Sequence, residues 1–183
     1  MNTSIVLTVI AEDRPGLVEL LAQTVNQHGA NWLESRLARL AGKFAGVVLL
    51  EAPSDQVDAM LADLDGLTER GLRVHAERTG EEDDPAAGLP RLDLELVGHD
   101  RPGIVRAVSE ALARARVNVD RLSTERTNAP MSGERLFRAT AQLRLPADLD
   151  AAQLRRQLEA IAADLVVDLS LIEPAVSPAT RGA

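Results

Sequence analysis

The sequence DRPGLV at residues 13–18 returns almost unchanged as DRPGIV at residues 100–105, which is 87 positions further along the chain. The same spacing carries Asn31 onto Asn118, well downstream of the repeated run. A run that recurs together with a later landmark at constant spacing indicates an internal duplication. The chain has 183 residues, which is long enough for two small domains, one from each copy.

The spacing between the two copies changes along the chain. Beyond residue 40 of the first copy it becomes 93, and a six-residue insertion within residues 127–135 of the second copy accounts for the difference. The insertion contains Asn, Pro, Ser and Gly, which favour turns, so we predict a loop there. The two spacings pair Arg39 with Arg126, Phe44 with Phe137, Leu61 with Leu154 and Leu72 with Leu165.

Each copy predicts the element order βαββαβ. In the first copy, Ile5, Leu7 and Val9 recur at the period of two that indicates a strand. Apolar residues at helical spacing then run from Leu17 to about Gly29. We predict strands at residues 3–11, 31–40, 43–52 and 71–78, and a second helix at 54–69 that is capped by Ser54 or Asp55.

This element order predicts an α+β protein made of two tandem ferredoxin-like domains, each an antiparallel sheet with helices on one face. A doubly wound parallel sheet is the alternative, but the predicted hairpin around residues 41–42 argues against it. We predict a first domain at 1–78, an acidic linker at 79–90, a second domain at 91–173 and a disordered tail at 174–183.

The two predicted sheets differ on the face that points away from the helices. If Phe44 and Phe137 face the helices, that face is apolar in the first copy and polar in the second. A large exposed apolar patch usually marks an interface. We therefore expect a homo-oligomer through this face, although the second domain could also cover it or a few apolar residues could stay uncovered. The residues compared are Val6, Ile10, Ala45, Val47 and Leu49 in the first copy, and Asp93, Glu95, Arg138, Thr140, Gln142 and Arg144 in the second.

The repeated turn joins the end of a strand to the start of a helix. Backbone N–H groups without partners and a partial positive charge gather at such a helix start, which favours carboxylates. Gly16 and Gly103 allow a close approach, and Asp13 and Asp100 could receive an ammonium group. A free amino acid carries both charges and fits such a turn. Pro15 and Pro102 fix φ and are expected in the first helical turn. The structural alternative is that the aspartate caps the helix while the proline and glycine shape a tight turn.

Composition excludes several classes of function. The chain has no cysteine and therefore no disulfide or thiolate site. Its net charge of −8 is the wrong sign for direct nucleic-acid binding. The three histidines lie in different elements without metal-ligand spacing, and phosphate-loop and nucleophile motifs are missing, so we expect no metal, no cofactor and no enzyme activity. No apolar run is long enough to span a membrane, and we expect a cytoplasmic protein.

The repeated turn, the repeated βαββαβ unit and the later Asn resemble tandem ACT domains over about residues 3–173. The run NWLESRLA at residues 31–38, followed by Gly42 and Phe44, is similar to the transcriptional repressors of the glycine cleavage system. This resemblance implies a sensor of an amino acid that acts on a transcription factor through protein–protein contact. The ligand-binding residues that it implies are Asp13, Arg14, Pro15, Gly16, Leu17 and Asn31, with Asp100, Arg101, Pro102, Gly103, Ile104 and Asn118 in the second copy.

Two other functions fit the same residues. Similar domain pairs also accompany catalytic domains, so the chain could be a separate regulatory subunit of a metabolic enzyme. It could also be a dimerisation module that binds no ligand. A pull-down separates the first two functions, because a DNA-binding partner favours the transcriptional regulator and a metabolic enzyme favours the regulatory subunit. Self-association that no metabolite alters identifies the dimerisation module.

Overall fold

The computed structural model describes residues 1–80, 88–128 and 133–172. They form two compact units, one from each copy of the repeat. Most of the predicted acidic linker, four residues of the predicted insertion loop and the whole predicted tail lie outside the described residues. The described end of the insertion corrects one expectation, because residues 127 and 128 still belong to a strand.

The element order βαββαβ is confirmed in both units. The first unit comprises β1 (Asn2–Glu12), α1 (Leu17–Gln27), β2 (Asn31–Leu40), β3 (Lys43–Pro53), α2 (Val57–Gly66), a 3-10 turn (Leu67–Arg70) and β4 (Leu72–Thr79). The second unit comprises β5 (Arg91–His99), α3 (Ile104–Arg114), β6 (Asn118–Asn128), β7 (Arg135–Arg144), α4 (Ala151–Leu165) and β8 (Val167–Ile172).

Each unit contains one antiparallel four-stranded sheet, as predicted. The strand orders are β2-β3-β1-β4 and β6-β7-β5-β8, so the first strand of each copy lies inside its sheet. Central position explains its apolar sequence, because both of its edges are paired and one face is buried. The β2–β3 hairpin turns at Ala41 and Gly42, both with positive φ, the geometry that matches the twist of paired strands.

One face of each sheet packs against the helices. Along β1, Ile5, Leu7 and Val9 are buried, and Phe44 of β3 packs on the same core. The second unit repeats this arrangement with its own core around Leu96 and Phe137. The predicted assignment of faces is therefore confirmed.

The predicted start of the second helix is wrong. α2 begins at Val57 after Gln56, and no side chain caps it. The Ser54 hydroxyl instead donates to the carbonyl oxygen of Met1 at 3.0 Å, which ties the end of β3 to the start of β1. The helix also ends early, at Gly66, and continues as the 3-10 turn.

The spacing between the copies is also not constant beyond β3. In the two central strands Ala11 pairs with Leu72, whereas the equivalent Gly98 pairs with Val167, so the final strands are offset by 95 rather than 93. Leu72 therefore corresponds to Val167 and not to Leu165. The extra residues lie in the helical segment, which is one continuous helix in α4 but a helix and a 3-10 turn in the first unit.

The same comparison places a strained residue in the second unit. Gly71 precedes β4 with φ of +79°, and Val166 precedes β8 with φ of +53°. A residue with a Cβ in the left-handed region costs about 1–2 kcal/mol, and Val166 is largely exposed, so its side chain contributes little burial. Val166→Gly removes this strain, but glycine loses more conformational entropy on folding, which offsets part of the gain. We therefore expect the free energy of unfolding, measured by urea denaturation, to rise by about 0.5–1 kcal/mol.

The reciprocal substitution is the control. Gly71→Val should lower the free energy of unfolding by about 1–2 kcal/mol, because it introduces the same strain in the first unit. A Val166→Gly protein no more stable than the unaltered chain would contradict this account.

No helix among the described residues has the length and apolar character that crossing a membrane requires.

Candidate ligand site at the two repeated turns

The first turn is tied to the β2–β3 hairpin. After β1 ends at Glu12, the Asp13 N–H donates to the carbonyl oxygen of Gly42 at 2.9 Å. Gly16 then takes φ of +88° and forms the N-terminal cap of α1, and its carbonyl oxygen accepts the N–H of Leu20 at 2.9 Å. Pro15 therefore precedes the cap, and the prediction that it lies in the first helical turn is wrong.

The Asp13 carboxylate faces an arginine and not the helix. Arg39, near the end of β2, donates from Nε to Asp13 Oδ2 at 2.5 Å. No side chain caps the start of α1, so the predicted alternative of an aspartate cap is wrong. The backbone N–H groups of the first turn have no acceptor within the helix. The turn thus presents a carboxylate, a guanidinium and a bare helix end together.

The second turn repeats this arrangement. The Asp100 N–H donates to the carbonyl oxygen of Arg135 at 3.0 Å, and the Ala107 N–H donates to that of Gly103 at 2.9 Å. Arg126 Nη1 lies 3.5 Å from Asp100 Oδ2. The sequences that surround the two turns differ. The aspartate–arginine pair is nevertheless present at both turns, so it is a feature that the two copies share.

The residues that follow the two aspartates have different surroundings. Arg14 Nη2 donates to the carbonyl oxygen of Arg70 at 2.7 Å, while Arg101 and Pro102 are exposed. Leu17 and Ile104 are only 3% exposed and belong to the two cores. Their side chains are buried, and their backbone N–H groups belong to the first helical turn, where N–H groups have no partner within the helix.

The two helix starts differ in charge. α1 has Glu19 in its first turn, whereas α3 has Arg106 at the equivalent position. Arg106 donates to Glu110 at 2.9 Å, and this bond holds the pKa of the Glu110 carboxyl below its usual range and raises the pKa of Arg106. The first turn of α3 therefore lacks the acidic side chain that Glu19 places at the start of α1.

The two asparagines lie at the opposite ends of the sheets from the turns. Asn31 of β2 pairs with Glu51 of β3, and Glu51 in turn pairs with Ser4 of β1. Ser4 is eight residues from the turn end of that strand, or about 26 Å at the usual rise. Within one unit, a single small amino acid cannot contact both Asn31 and Asp13.

Asn118 has the equivalent position in the second unit and takes part in a local network. Its Nδ2 donates to Asp120 Oδ1 at 2.8 Å, and Arg144 Nε donates to Asp120 Oδ2 at 2.5 Å. These contacts hold the start of β6 against β7. The structure thus brings Asp13, Gly16 and their second-unit equivalents to the turns, but it does not bring the asparagines there.

Arg39 and Arg126 are the site residues that the sequence-based prediction missed. Both were visible as a pair, because they keep the spacing of 87 that relates the two turns. What the spacing could not give is their contact with the aspartates, which depends on how the strands pair. Among residues 1–80, 88–128 and 133–172, no group of three His, Asp or Glu side chains could hold a metal ion.

Comparisons with known proteins agree with this architecture. ACT domain models match residues 3–77 and residues 93–163. The chain is 25% identical over 165 residues to the glycine cleavage system transcriptional repressor of Escherichia coli (strain K12), covering 88% of this chain and 85% of that protein.

Two solved structures resemble the whole chain. The crystal structure of an unknown protein from Galdieria sulphuraria has a TM-score of 0.79 and 27% identity, covering 94% of this chain and 99% of that one. The structure of a proposed glycine cleavage system transcriptional repressor has a TM-score of 0.67 and 20% identity, covering 93% and 96%. With both copies matched by the family's models, the chain belongs to the ACT-domain family and carries two ACT domains in tandem.

Proposed function

We propose that this chain is a regulatory protein that binds a free amino acid at its repeated turns. The observation that carries the proposal is the carboxylate–guanidinium pair beside a bare helix start in both units, Asp13 with Arg39 and Asp100 with Arg126. A free amino acid has a carboxylate and an ammonium group a few ångströms apart. Each turn offers a complementary group for both.

Little free energy is needed to separate the two ion pairs at the turns. The Arg39 and Arg126 side chains are each 69% exposed, and an exposed pair stabilises a protein by only about 0–1 kcal/mol. A ligand ammonium can therefore replace the guanidinium at the aspartate. The ligand carboxylate then has two partners, the released arginine and the N–H groups of the first helical turn.

In this proposal the protein regulates transcription. The related Escherichia coli protein is a repressor of the glycine cleavage system by name. Direct DNA binding would need a basic surface, whereas the chain has a net charge of −8. We infer that it acts on a partner transcription factor through protein–protein contact, in the control of amino-acid metabolism, including that of glycine. It is not an enzyme in this proposal.

Self-association through the open face of the first sheet is the second part of the proposal. Ile10 and Val47 are 37% and 41% exposed on that face. In the second sheet the same face has an ion pair between Arg138 and Glu95 and stays polar. The outer strands of the first sheet carry the ion pairs Arg36–Glu34 and His75–Glu77 on this face, so its apolar area lies on the two central strands. An apolar centre with a polar rim has the character of an interface.

Ligand binding is tested by a thermal-shift screen of the full chain against single amino acids. A ligand at about a hundred times its dissociation constant adds roughly 2.7 kcal/mol, which raises the melting temperature by several degrees. We expect Asp13→Ala and Asp100→Ala, combined, to abolish this rise because the ammonium partner is lost in both units. Asp148→Ala is the matched control, since Asp148 is paired with Arg116 at 2.5 Å at the other end of α3.

The outcomes separate the proposal from its alternatives. A rise for one amino acid that Asp148→Ala keeps and the double variant loses supports the turns as the site. A rise that the double variant keeps would exclude them. Absence of any rise would favour a dimerisation module. Copurification with a metabolic enzyme instead of a transcription factor would favour a regulatory subunit.

A further inference from the structure

A polar pocket adjoins the second turn, between the end of β6 and the start of β7. Its volume is about 220 Å³, and Arg126, Thr127, Asn128 and Arg135 line it. Arg126 also forms the ion pair with Asp100, with 3.5 Å between Nη1 and Oδ2. The pocket therefore begins at the aspartate to which the ligand ammonium is proposed to bind.

The strand register places the two arginines of the pocket on the side of the sheet that carries α3. Arg126 pairs with Phe137, which packs against the core, and Asn128 pairs with Arg135. Residues two apart on a strand point to the same face, and so do residues directly opposite each other on neighbouring strands. Arg126, Asn128 and Arg135 therefore share the face on which α3 begins.

Arg135 is close enough to contact a ligand that is held at Asp100. The Asp100 N–H donates to the Arg135 carbonyl oxygen at 3.0 Å, so the two residues are direct neighbours across the strands. Neighbouring strands lie about 4.8 Å apart. The ammonium group and the side-chain carboxylate of an acidic amino acid are separated by a comparable length. One small molecule can therefore contact both residues.

The two turns differ in the arginines that they leave available. The Asp13 N–H donates to Gly42 as the Asp100 N–H does to Arg135, so glycine occupies the arginine position in the first unit. Arg14 donates to a backbone carbonyl oxygen at 2.7 Å. Its counterpart Arg101 and Arg135 form no side-chain hydrogen bond or ion pair with the residues that the structure describes. The second turn thus has two available guanidinium groups that the first turn lacks.

We propose that the second turn selects an acidic amino acid, and that Arg135 holds its side-chain carboxylate in this pocket. The inference rests on the proposed function for the ammonium and the α-carboxylate, and it adds the chemical class of the side chain. A guanidinium binds a carboxylate through two parallel hydrogen bonds, and bonds between charged groups are about twice as strong as neutral ones. Glutamate or aspartate should therefore bind about tenfold more tightly than its amide.

Isothermal titration calorimetry of the full chain tests this with two pairs of probes, glutamate with glutamine and aspartate with asparagine. We expect the acid of at least one pair to bind about tenfold more tightly than its amide. Arg135→Gln should weaken binding of that acid about tenfold and leave binding of the amide unchanged, because the backbone carbonyl that braces the turn is kept. Arg135→Lys keeps the charge without the planar fork and should retain part of the preference.

Arg138→Gln is the matched control. It removes the same charge from the same strand, but Arg138 lies on the opposite face of the sheet, where it pairs with Glu95. We expect it to leave the preference for the acid unchanged. Inorganic phosphate is a further probe, because it carries negative charge without an ammonium group and should bind more weakly than the preferred acid.

Each result has a distinct meaning. A preference for the acid that Arg135→Gln removes and Arg138→Gln keeps supports the inference. Equal binding of acid and amide in both pairs, binding of neutral amino acids alone, or a preference that Arg135→Gln leaves intact overturns it and leaves the amino-acid sensor standing. Phosphate that binds as tightly as the acid also overturns it, because the arginines would then form a general anion site. If no amino acid binds the unaltered chain, the proposed function fails and this inference fails with it.

Discussion

Replacement of Gly46 by alanine should destabilise the first unit by about 3 kcal/mol or more. Gly46 lies in β3 between Val9 of β1 and Leu37 of β2. A Cβ there would lie 1.9 Å from the Arg36 carbonyl oxygen and 2.8 Å from the Leu37 Cα. Because both atoms belong to the backbone, no side-chain rotation relieves the clash, and β2 has to move away from β3. Urea denaturation followed by circular dichroism measures the loss.

Gly66→Ala is the control for this prediction. Gly66 ends α2 with ordinary helical dihedral angles, and a Cβ there meets no atom within 4 Å. Alanine should therefore raise stability slightly, by about 0.5–1 kcal/mol. If Gly46→Ala and Gly66→Ala have the same small effect, β2 and β3 do not approach as closely as the structure shows.

Replacement of Val47 by lysine should abolish self-association. Val47 lies at the centre of the apolar open face, opposite Thr8 of β1 and Arg36 of β2. In an interface formed by this face, a lysine there would place a second positive charge beside Arg36 in the apolar centre, and burying that charge costs several kcal/mol. A cost of about 2.7 kcal/mol already weakens association a hundredfold. Analytical ultracentrifugation over a range of protein concentrations should therefore detect only the monomer.

The repeat provides a matched control for this substitution. Thr140 occupies the same position in the second sheet, on the polar face beside Gln142. Thr140→Lys adds the same charge at the same place in the fold, and we expect it to leave association unchanged. Equal effects of the two substitutions, or an unaltered chain that is monomeric at all concentrations, would contradict the interface. Val47→Lys should leave the melting temperature of the monomer close to its original value, because Val47 is outside the core.

The element order and the fold could be predicted from the sequence because their determinants are local. Ile5, Leu7 and Val9 define a strand by their period of two, and the run from Leu17 defines a helix by its spacing. Because the chain contains a duplication, the second copy shows the same pattern again. Where local signals were weak the prediction failed, as at Ser54, whose hydroxyl bonds Met1 across the sheet instead of capping α2.

Half of the candidate site could be predicted in the same way. The turn from Asp13 to Gly16 is contiguous in sequence, and its position between strand and helix is a local property. The partner of Asp13 is not local, because Arg39 reaches it from the end of a different strand. Asn31 is excluded from the turn for the same reason, since strand direction places it at the far end of the sheet.

By itself, then, the sequence determined that this protein has two copies of one βαββαβ domain, with a strand-to-helix turn as the candidate site in each. Only the tertiary structure decided which residues meet. Gly46 shows the difference most clearly, because its counterpart Ala139 makes alanine look acceptable, and only the approach of Arg36 and Leu37 in space excludes it. Periodicity and turn chemistry act between neighbours along the chain, whereas close packing depends on strand register and on every side chain around a position.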